Sequence, residues 1–304
     1  MNTQGKYNLL YRLGLRKDFK DNYDSGSPEY SQLLRMGTID MPEISATIFT
    51  GLSRMLEMGD GESITFDSPK IGPKVMAVDK KFGAGVEISE QTIQDDQFGK
   101  MKEAAKWLAH AAKMTKEYRV GAFWDDAFTG SVYKGIDGLS LCNASHTFLN
   151  ASGTYSNIPA APVGLGRTGI DSLLDIFMTA KDHNGDPINM MPKTLIIGNN
   201  TGDYQRAMQI LKGIKEPFTA NNADNGVKLT TPSLDKVVIS RYKTSLKSYF
   251  MIDDTWFDAW MLMRSDASVE DDRDFKTGAY LWKATMRFLI WFVENRGTAG
   301  ANPA

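Results

Sequence analysis

A thiol and an imidazole lie close together in this sequence and could form a nucleophile and its base. Cys142 precedes His146 by four residues, and paired Cys and His side chains carry out covalent catalysis in many enzymes. The chain has one cysteine and three histidines, which supply few further groups for a proton relay. It contains neither a Gly-x-x-x-x-Gly-Lys-Ser/Thr loop nor a His-Glu-x-x-His motif. We therefore predict a semi-buried thiol beside a loop histidine, with no catalytic residue and no cofactor.

Two acidic segments could bind a divalent cation. The segment Asp182-His183-Asn184-Gly185-Asp186 resembles half of a calcium loop, but the later glutamate is missing and Pro187 intervenes. A simple turn is therefore favoured. The second segment contains Glu270, Asp271, Asp272 and Asp274. A solvated loop, or a partner for the arginines of a neighbouring molecule, is favoured there over a bound ion, so no metal site is predicted.

Charge is unevenly distributed along a chain whose net charge is only −2. Residues 1–20 and 97–119 are rich in lysine and arginine, whereas residues 253–274 are acidic. Basic and acidic surfaces on one chain would suit like subunits that pack head to tail. Ordinary solvated faces are the alternative, and the net charge gives no general signal for nucleic-acid binding.

The composition is typical of a globular protein, with 42% hydrophobic and 24% charged residues. The longest strongly apolar run, residues 288–293, stops at Glu294, far short of the ~20 residues that a membrane-spanning helix needs. Residues 1–20 lack the features of a secretory signal, and a single cysteine fits a reducing compartment. The sequence therefore predicts a soluble cytoplasmic chain without membrane contact.

The first 89 residues predict an arm followed by a hairpin. Residues 1–56 indicate an extended arm with helical turns near Tyr30–Met36 and Glu43–Met55, which would bury little against its own core. Polar and apolar residues then alternate in Glu62–Asp67, Val75–Asp79 and 82–88, with glycine and proline between these segments. This pattern predicts a β-hairpin with a long tip, whose arms would extend roughly 33 Å.

Residues 89–118 predict a long α-helix. Phe98, Met101, Ala105, Leu108 and Ala112 recur at three- and four-residue steps, with lysines on the other side. Some 25 residues correspond to a rod of roughly 37 Å. The aromatic and glycine-rich residues 120–160 predict short strands and loops.

The rest of the chain predicts a small α/β unit and then strands, which makes the fold class α+β. Within residues 161–245 we predict helices at Gly169–Lys181 and Gly202–Leu211, strands at Lys193–Ile197 and Lys236–Ser240, and an exposed loop at Lys215–Lys228. Strands are predicted at Tyr249–Asp253, Ala259–Arg264 and Lys283–Asn295. The small, polar tail Gly297–Ala304 is expected to fray.

This order of elements resembles the major capsid proteins of tailed bacteriophages, the Hong Kong 97-type (Johnson) fold, and among them Mu-like head subunits. The resemblance covers residues 35–296 and depends on the order and spacing of four passages. These are Gly61–Asp67 before a hairpin, Val86–Ser89 leading through Asp95-Asp96 into a helix, Met251–Asp254 between strands, and the final Glu294-Asn295-Arg296-Gly297.

The resemblance implies a division of the chain. Residues 1–56 correspond to an N-arm, and residues 57–85 to an E-loop that lies across an adjacent subunit. Residues 86–160 correspond to the first part of a P-domain with its long spine helix. Residues 161–245 correspond to an A-domain that points at the five-fold or six-fold axis. Residues 246–304 correspond to the closing strands of the P-domain and a tail.

The resemblance also implies a function and partners. It predicts self-assembly into pentamers and hexamers of an icosahedral head around double-stranded DNA, in a virion assembled in the cytoplasm of a bacterial host. Scaffolding, portal and decoration proteins are possible partners. Because the arm and hairpin use the residues before the helix, we expect a separate scaffolding protein or none in place of an internal scaffold.

Candidate assembly and DNA-facing residues follow from these assignments. Some shells of this fold join hairpin lysines to asparagines of a neighbour, but a lysine alone is not specific and no crosslink is predicted. The hairpin residues are Lys74, Lys80 and Lys81; the DNA-facing residues on the helix are Lys106, Lys113 and Arg119; the subunit-contact residues are Asp271, Asp272 and Arg273.

Two other functions are compatible with parts of the sequence. An encapsulin-type nanocompartment shell would share the fold and enclose a cargo protein, and neighbouring genes would distinguish it from a phage head. An α/β hydrolase or binding protein could be built on residues 161–245. The sequence shows no convergent nucleophile, base and phosphate loop there, which argues against it.

Overall fold

The computed structural model describes residues 15–52, 54–55, 57–64, 66, 68–89, 91, 100–213, 226–227 and 234–303, without the side chains of residues 100–102. The chain divides into two compact units. Unit 1 comprises the residues up to 44 together with 78–120 and 261–290, and unit 2 comprises 45–77, 121–260 and 291–304. Within the described ranges, no helix is long and apolar enough to cross a membrane.

Helices and strands alternate irregularly along the chain. The helices are α1 (15–24), α2 (Tyr30–Leu33), α3 (Lys100–Asp125), α4 (Arg167–Met178) and α5 (Thr201–Lys212). The first strands are β1 (Arg35–Thr38), β2 (Glu43–Ala46), β3 (Val75–Val78), β4 (Lys80–Ile88), β5 (His146–Thr147) and β6 (Thr154–Tyr155). The later strands are β7 (Thr194–Gly198), β8 (Lys236–Ser240), β9 (Tyr249–Ile252), β10 (Ala259–Arg273), β11 (Tyr280–Phe292) and β12 (Thr298–Ala301).

Unit 1 is a four-stranded sheet in the order β1-β10-β11-β4, with helices α1 and α3 on one face. Leu15 and Phe19 of α1 are buried together with Leu108 of α3 and Trp282 of β11. The prediction that the arm buries little is therefore wrong for residues 15–24, because two apolar side chains one helical turn apart pack onto the sheet.

Unit 2 contains a second four-stranded sheet in the order β12-β9-β7-β8, packed against α4 and α5. Strands β7 and β8 run parallel, whereas β9 is antiparallel to β7. The predicted helices and strands of residues 161–245 are confirmed, with Ile170, Leu173 and Phe177 of α4 buried as expected. The predicted loop Lys215–Lys228 lies outside the described residues, except that Val227 is buried in this core.

The carboxyl-terminal residues form a central part of unit 2. Strand β12 pairs with β9, and Ala299 and Ala301 are fully buried, so the expected frayed tail is wrong. The small side chains are required there. A Cβ at Gly300 would lie 2.7 Å from the ring of Phe250 and 2.8 Å from the sulfur of Cys142. The sheet that contains the predicted α/β strands thus continues beyond residue 245.

Helix α3 continues to Asp125, seven residues past the predicted end. Phe123 and Trp124 are buried, and Trp124 lies 4.7 Å from Phe250 between ring centroids. This aromatic packing extends the helix into residues predicted as loop and strand. Ser89, the predicted start, belongs to no helix, whereas residues 90 and 92–99, with Phe98, and the side chain of Met101 lie outside the described residues.

The predicted hairpin has different arms from those expected. Glu43–Ala46 is a strand and not a helix, because β2 finds a pairing partner in β3. Residues 62–64 and 66 belong to no strand, while Thr65 and Asp67 lie outside the described residues. Strand β4 pairs with β11 and is therefore part of the four-stranded sheet of unit 1.

Asp126, directly after α3, organises the chain reversal that follows. Its carboxylate accepts hydrogen bonds from the hydroxyls of Thr129 and Ser131 and from the backbone N–H groups of Ser131, Val132 and Tyr133, at 2.6–2.9 Å. Burial would raise the pKa of this carboxyl. The hydrogen bonds outweigh burial and lower the pKa to about 2.

The variant Asp126→Asn should lose roughly 1–3 kcal/mol of unfolding free energy at neutral pH, because the amide replaces an accepting oxygen with a donor. A lowered carboxyl pKa stabilises the fold above the unfolded value of about 3.9 and ceases to do so as pH falls through the folded pKa. The difference from wild type should therefore shrink between about pH 4 and pH 2. Urea unfolding across this range measures it, and a pH-independent difference would contradict the assignment.

Candidate assembly interface

The described residues of the range 45–77 form a long loop with a strand-like base, here named the apolar loop. Phe49 and Ile71 form an isolated antiparallel bridge. Around it the N–H of Thr50 donates to the carbonyl of Lys70 at 3.0 Å, and the N–H of Gly72 donates to the carbonyl of Ile48 at 2.8 Å. Thr50 is buried, and its hydroxyl accepts a hydrogen bond from the N–H of Lys70. These bonds fix the two arms of the loop relative to each other.

Three contacts hold the base of the apolar loop on the rest of unit 2. A Cβ at Gly72 would lie 2.9 Å from a terminal methyl of Leu149 and 3.2 Å from the carbonyl oxygen of Ile48, so glycine favours the close approach. The side-chain amide of Asn184 donates to the carbonyl of Gly51 at 3.2 Å. Arg54 forms an ion pair with Asp186 at 2.8 Å.

The segment 182–186 is a turn, as predicted. Asp182 accepts hydrogen bonds from the N–H groups of Asn184 and Asp186, and Gly185 has a positive φ of 90°. These contacts use the carboxylate that a calcium loop would direct at an ion. The turn instead presents Asn184 and Asp186 to the apolar loop.

Large apolar side chains of the apolar loop face solvent. Met55 is fully exposed, and Phe66 is 90% exposed. The others are exposed to between 48% and 68%: Phe49, Leu52, Met58, Ile64, Ile71 and Met76. Covering one such side chain contributes roughly 1.5–3 kcal/mol, so a second surface against this loop would be strongly stabilised.

A second exposed apolar group lies at the turn between β10 and β11. Phe275 is fully exposed. The preceding Asp274 accepts hydrogen bonds from the N–H of Lys276 and the hydroxyl of Thr277, which lower the pKa of its carboxyl. The turn is thus ordered around Asp274 while it presents an aromatic ring to solvent.

The three hairpin lysines do not lie together in one hairpin. Lys74 is exposed and precedes β3 in the apolar loop. Lys80 and Lys81 are exposed on β4, opposite Phe288 and Arg287 of β11. Their placement in a sheet follows from the pairing of β4 with β11.

The predicted contact residues 271–273 lie in strand β10, so the solvated-loop interpretation is wrong. Asp271 has a buried carboxylate that pairs with Arg16 of α1 at 2.9 Å. The guanidinium of Arg273 lies 5.2 Å from the ring of Tyr280. Asp272 accepts a hydrogen bond from the N–H of Arg273. Other acidic side chains of β10 also face cations on neighbouring elements, as Glu270 does with Lys283 at 2.8 Å.

The basic residues of α3 do not share one face. Lys106 is exposed, and Lys113, seven residues later, lies on the same side of the helix. Arg119 lies ~140° around the helix from Lys106. Its guanidinium is 5.0 Å from the ring of Phe82, and Lys113 hydrogen-bonds to Ser25.

Two further ion pairs of unit 1 each contain one buried charged side chain. The buried Lys116 pairs with Asp266, which is largely exposed, at 2.8 Å and lies over the ring of Tyr23. Asp79 pairs with Arg264 and Arg287. Burial would raise the pKa of Asp79, but the two arginines lower it. These groups stabilise the fold of unit 1.

Cys142 and His146 do not form a nucleophile and base. The thiol of Cys142 is buried, which raises its pKa. Its sulfur packs against Gly300, where a Cβ would lie 2.8 Å away. His146 is fully buried and bonds through its two ring nitrogens to Asp137 at 2.5 Å and Asn157 at 3.2 Å. Within the described ranges, no group of three or more His, Cys, Asp or Glu side chains is arranged to hold a metal ion.

Sequence reasoning missed the anchors of the apolar loop and the exposed Phe275. Asn184 and Asp186 were visible only as a turn, because their partners lie more than 130 residues away. A detectable signal was the number of large apolar residues between Phe49 and Met76 within a glycine-containing segment.

Solved structures share this architecture. The chain matches the virus-like particle of Pyrococcus furiosus with a TM-score of 0.54 and 8% identity, over 96% of this chain and 99% of that chain. It matches the capsid of Myoviridae phage XM1 with a TM-score of 0.52 and 8% identity, over 88% and 90% of the two chains. For the capsid of the native GTA particle, the values are 0.56 and 12%, over 92% and 91%. At such identities the likeness establishes the fold, which is the predicted Hong Kong 97-type capsid fold.

The fold and the exposed apolar loop together define the class of shell-forming capsid subunits. The family model for phage capsid protein matches residues 74–300. The chain therefore belongs to the phage capsid protein family, a family of structural proteins, and an encapsulin-type shell is not favoured. No curated protein matches the chain.

If the apolar loop is an assembly surface, Met55→Ser should impair assembly without destabilising the subunit, because Met55 is fully exposed in the single chain. Loss of roughly 1.5–3 kcal/mol per contact would raise the subunit concentration needed for assembly about ten- to a hundredfold. Light scattering against concentration measures this threshold.

Met178→Ser is the matched control, since Met178 is also exposed, on α4 of the same unit. The control should assemble as wild type does. Equal thresholds for all three proteins would contradict the assignment of the apolar loop.

Proposed function

We propose that this chain is the major capsid protein of a tailed phage, which assembles into pentamers and hexamers of an icosahedral head around double-stranded DNA. The observation that carries the proposal is the row of exposed apolar side chains on residues 45–77 of a capsid-family chain. A protein that worked as a monomer would leave this surface in water at a cost in solubility.

The subdivision of the chain supports specific roles within such a shell. Of the residues first assigned to the N-arm, those up to 44 keep that role. The apolar loop takes the role of the E-loop first assigned to residues 57–85, since its paired arms begin at β2 and end at β3. The α3 helix is the spine helix of the P-domain. The sheet β12-β9-β7-β8 with α4 and α5 is the core of the A-domain.

The partners of the shell follow from the same proposal. Subunits assemble in the cytoplasm of a bacterial host, with scaffolding, portal and decoration proteins as possible partners. The subunit-contact residues Asp272 and Arg273 and the fully exposed Phe275 nearby supply a second contact between subunits. Lys106 and Lys113 of α3 face the packaged DNA.

Negative-stain microscopy and size-exclusion chromatography of the protein expressed alone test the shell directly. Shells, tubes or capsomer rings are expected, because each subunit carries exposed apolar surfaces that another copy can cover. A monomer of 33.8 kDa that is unchanged on concentration and on addition of a scaffold would contradict the proposal.

The DNA-facing role is tested by the double variant Lys106→Gln and Lys113→Gln, with Arg119→Gln as the matched control on another side of the helix. Each lysine that neutralises a phosphate contributes a salt-dependent, sequence-independent attraction. Heads of the double variant should form but retain less nuclease-resistant DNA than heads of the control. Equal DNA content would exclude these lysines from the interface with DNA.

A further inference from the structure

Two charged residues that follow strand β11, Glu294 and Arg296, form a buried network with the turn 182–186. The side chain of Arg296 is only 4% exposed. Its Nε donates to the carbonyl of Lys181 at 2.9 Å, and one terminal nitrogen pairs with Glu294 at 2.9 Å. The other terminal nitrogen contacts Nδ1 of His183 at 2.9 Å. Arg296 therefore holds the start of the turn through both a backbone carbonyl and an imidazole.

These contacts fix the protonation state of His183. A guanidinium group has only donors, so the Nδ1 atom that accepts from Arg296 carries no proton. The proton of the neutral ring is then on Nε2, which faces the carboxylate of Glu294 at 3.3 Å. A second proton on Nδ1 would place two donors against each other. Protonation of this buried imidazole is therefore incompatible with its bond to Arg296.

Other ionisable groups surround the imidazole. Asp182 accepts the N–H groups of two residues in its own turn, and Asp186 pairs with Arg54 at 2.8 Å. The ring of Tyr155 lies 5.0 Å from the guanidinium of Arg296, and burial raises the pKa of its hydroxyl. The side chain that changes its charge in mild acid without a compensating bond is therefore the imidazole.

The surroundings allow the turn to move without unfolding. A cavity of about 350 Å³ adjoins Arg296 and is also lined by Phe148 and the exposed Lys181. It gives the guanidinium space to move away from a protonated imidazole. The N–H groups of Asn150 and Ala151 donate to the backbone carbonyl of the same histidine, and these bonds do not depend on its side chain.

The turn connects this network to the apolar loop. Asn184, the residue after His183, donates from its side chain to the carbonyl of Gly51 at 3.2 Å. Asp186 forms the ion pair with Arg54. Both contacts lie at the base of the apolar loop, so a shift of the turn changes the position in which the loop is held.

We propose that Arg296 and His183 are positioning residues for the apolar loop, and that protonation of His183 releases the loop from its anchored position. At neutral pH the neutral imidazole accepts from Arg296 and the base of the loop is ordered. In mild acid this bond is lost and the base becomes mobile. The coupling is a property of the single subunit, whereas its consequence, weaker assembly in mild acid, rests on the proposed shell function.

Hydrogen–deuterium exchange of unassembled subunits tests the coupling in wild type and in His183→Asn. The asparagine oxygen replaces Nδ1 as acceptor for Arg296 and does not titrate. An imidazole in water takes up a proton near pH 6.5, so at about pH 5.5 its protonated form is in roughly tenfold excess. Peptides that cover residues 45–52 and 70–77 should then exchange about tenfold faster in wild type than in the variant, and equally at about pH 7.5. The carboxylates are common to both proteins, so their titration cancels.

Two further variants complete the test. His110→Asn is the matched control, since His110 is exposed on α3, and it should behave as wild type does at both pH values. Asn184→Ala removes the bond to Gly51 and should give fast exchange of the loop base at both pH values. This second variant keeps the link between turn and loop testable if His183→Asn does not fold.

Equal exchange of wild type and His183→Asn at the lower pH, or unchanged exchange in Asn184→Ala, would overturn the coupling whether or not shells form. The concentration needed for assembly, measured by light scattering, should rise in mild acid for wild type and much less for His183→Asn. The same rise in both would overturn the role in assembly. Subunits that show the exchange difference but never assemble would overturn the shell function and leave the coupling intact.

Discussion

Large hydrophobic side chains of the apolar loop are left exposed by the described part of the chain. The proposed assembly into a shell follows from this constraint. Met55 and Phe66 have almost the full exposure of an extended peptide. Apolar burial is the main favourable term in folding and in association. The loop holds such residues away from a core, on a base tied by Thr50 and Gly72, and we therefore propose that its stabilising partner lies on another molecule.

The rigidity of the base matters as much as the exposed side chains. A flexible apolar segment would lose conformational entropy on binding, which reduces the net gain. Here the bridge between Phe49 and Ile71, the bond from Asn184 and the ion pair of Arg54 with Asp186 order the arms before any contact forms. The apolar residues between those arms are thus presented to a neighbour at a reduced entropic cost.

Charge plays two different parts in unit 1. Lys116, Asp79 and Asp271 lie in sequence stretches that look like assembly surfaces, yet each is buried in an ion pair. Such groups cannot interact with a neighbour without leaving an uncompensated charge behind. The exposed charges Lys80, Lys81 and Lys106 remain for contacts outside the chain. Burial therefore distinguishes the charged residues that stabilise the fold from those that remain exposed for contacts with other molecules.

The sequence by itself determined the elements whose pattern is local. The apolar periodicity of α4 and the continuous apolar run of β7 predicted their buried faces, and the order of such elements carried the resemblance to phage capsids. It also contained the turn at 182–186, since Asp182 bonds within its own segment.

Only the tertiary structure decided where distant segments meet. Glu43–Ala46 has helical spacing but becomes a strand because β3 offers a partner, and β4 joins the sheet of unit 1 because β11 lies beside it. The small residues of β12 predicted a frayed tail. In the structure they are required because the space beside Phe250 is too crowded for larger side chains. The sequence places Lys113 and Arg119 in the same basic run. In the structure they lie on different sides of the helix, Lys113 beside Ser25 and Arg119 beside Phe82. These outcomes depend on partners far away in the sequence, and local propensity does not encode which partner is present.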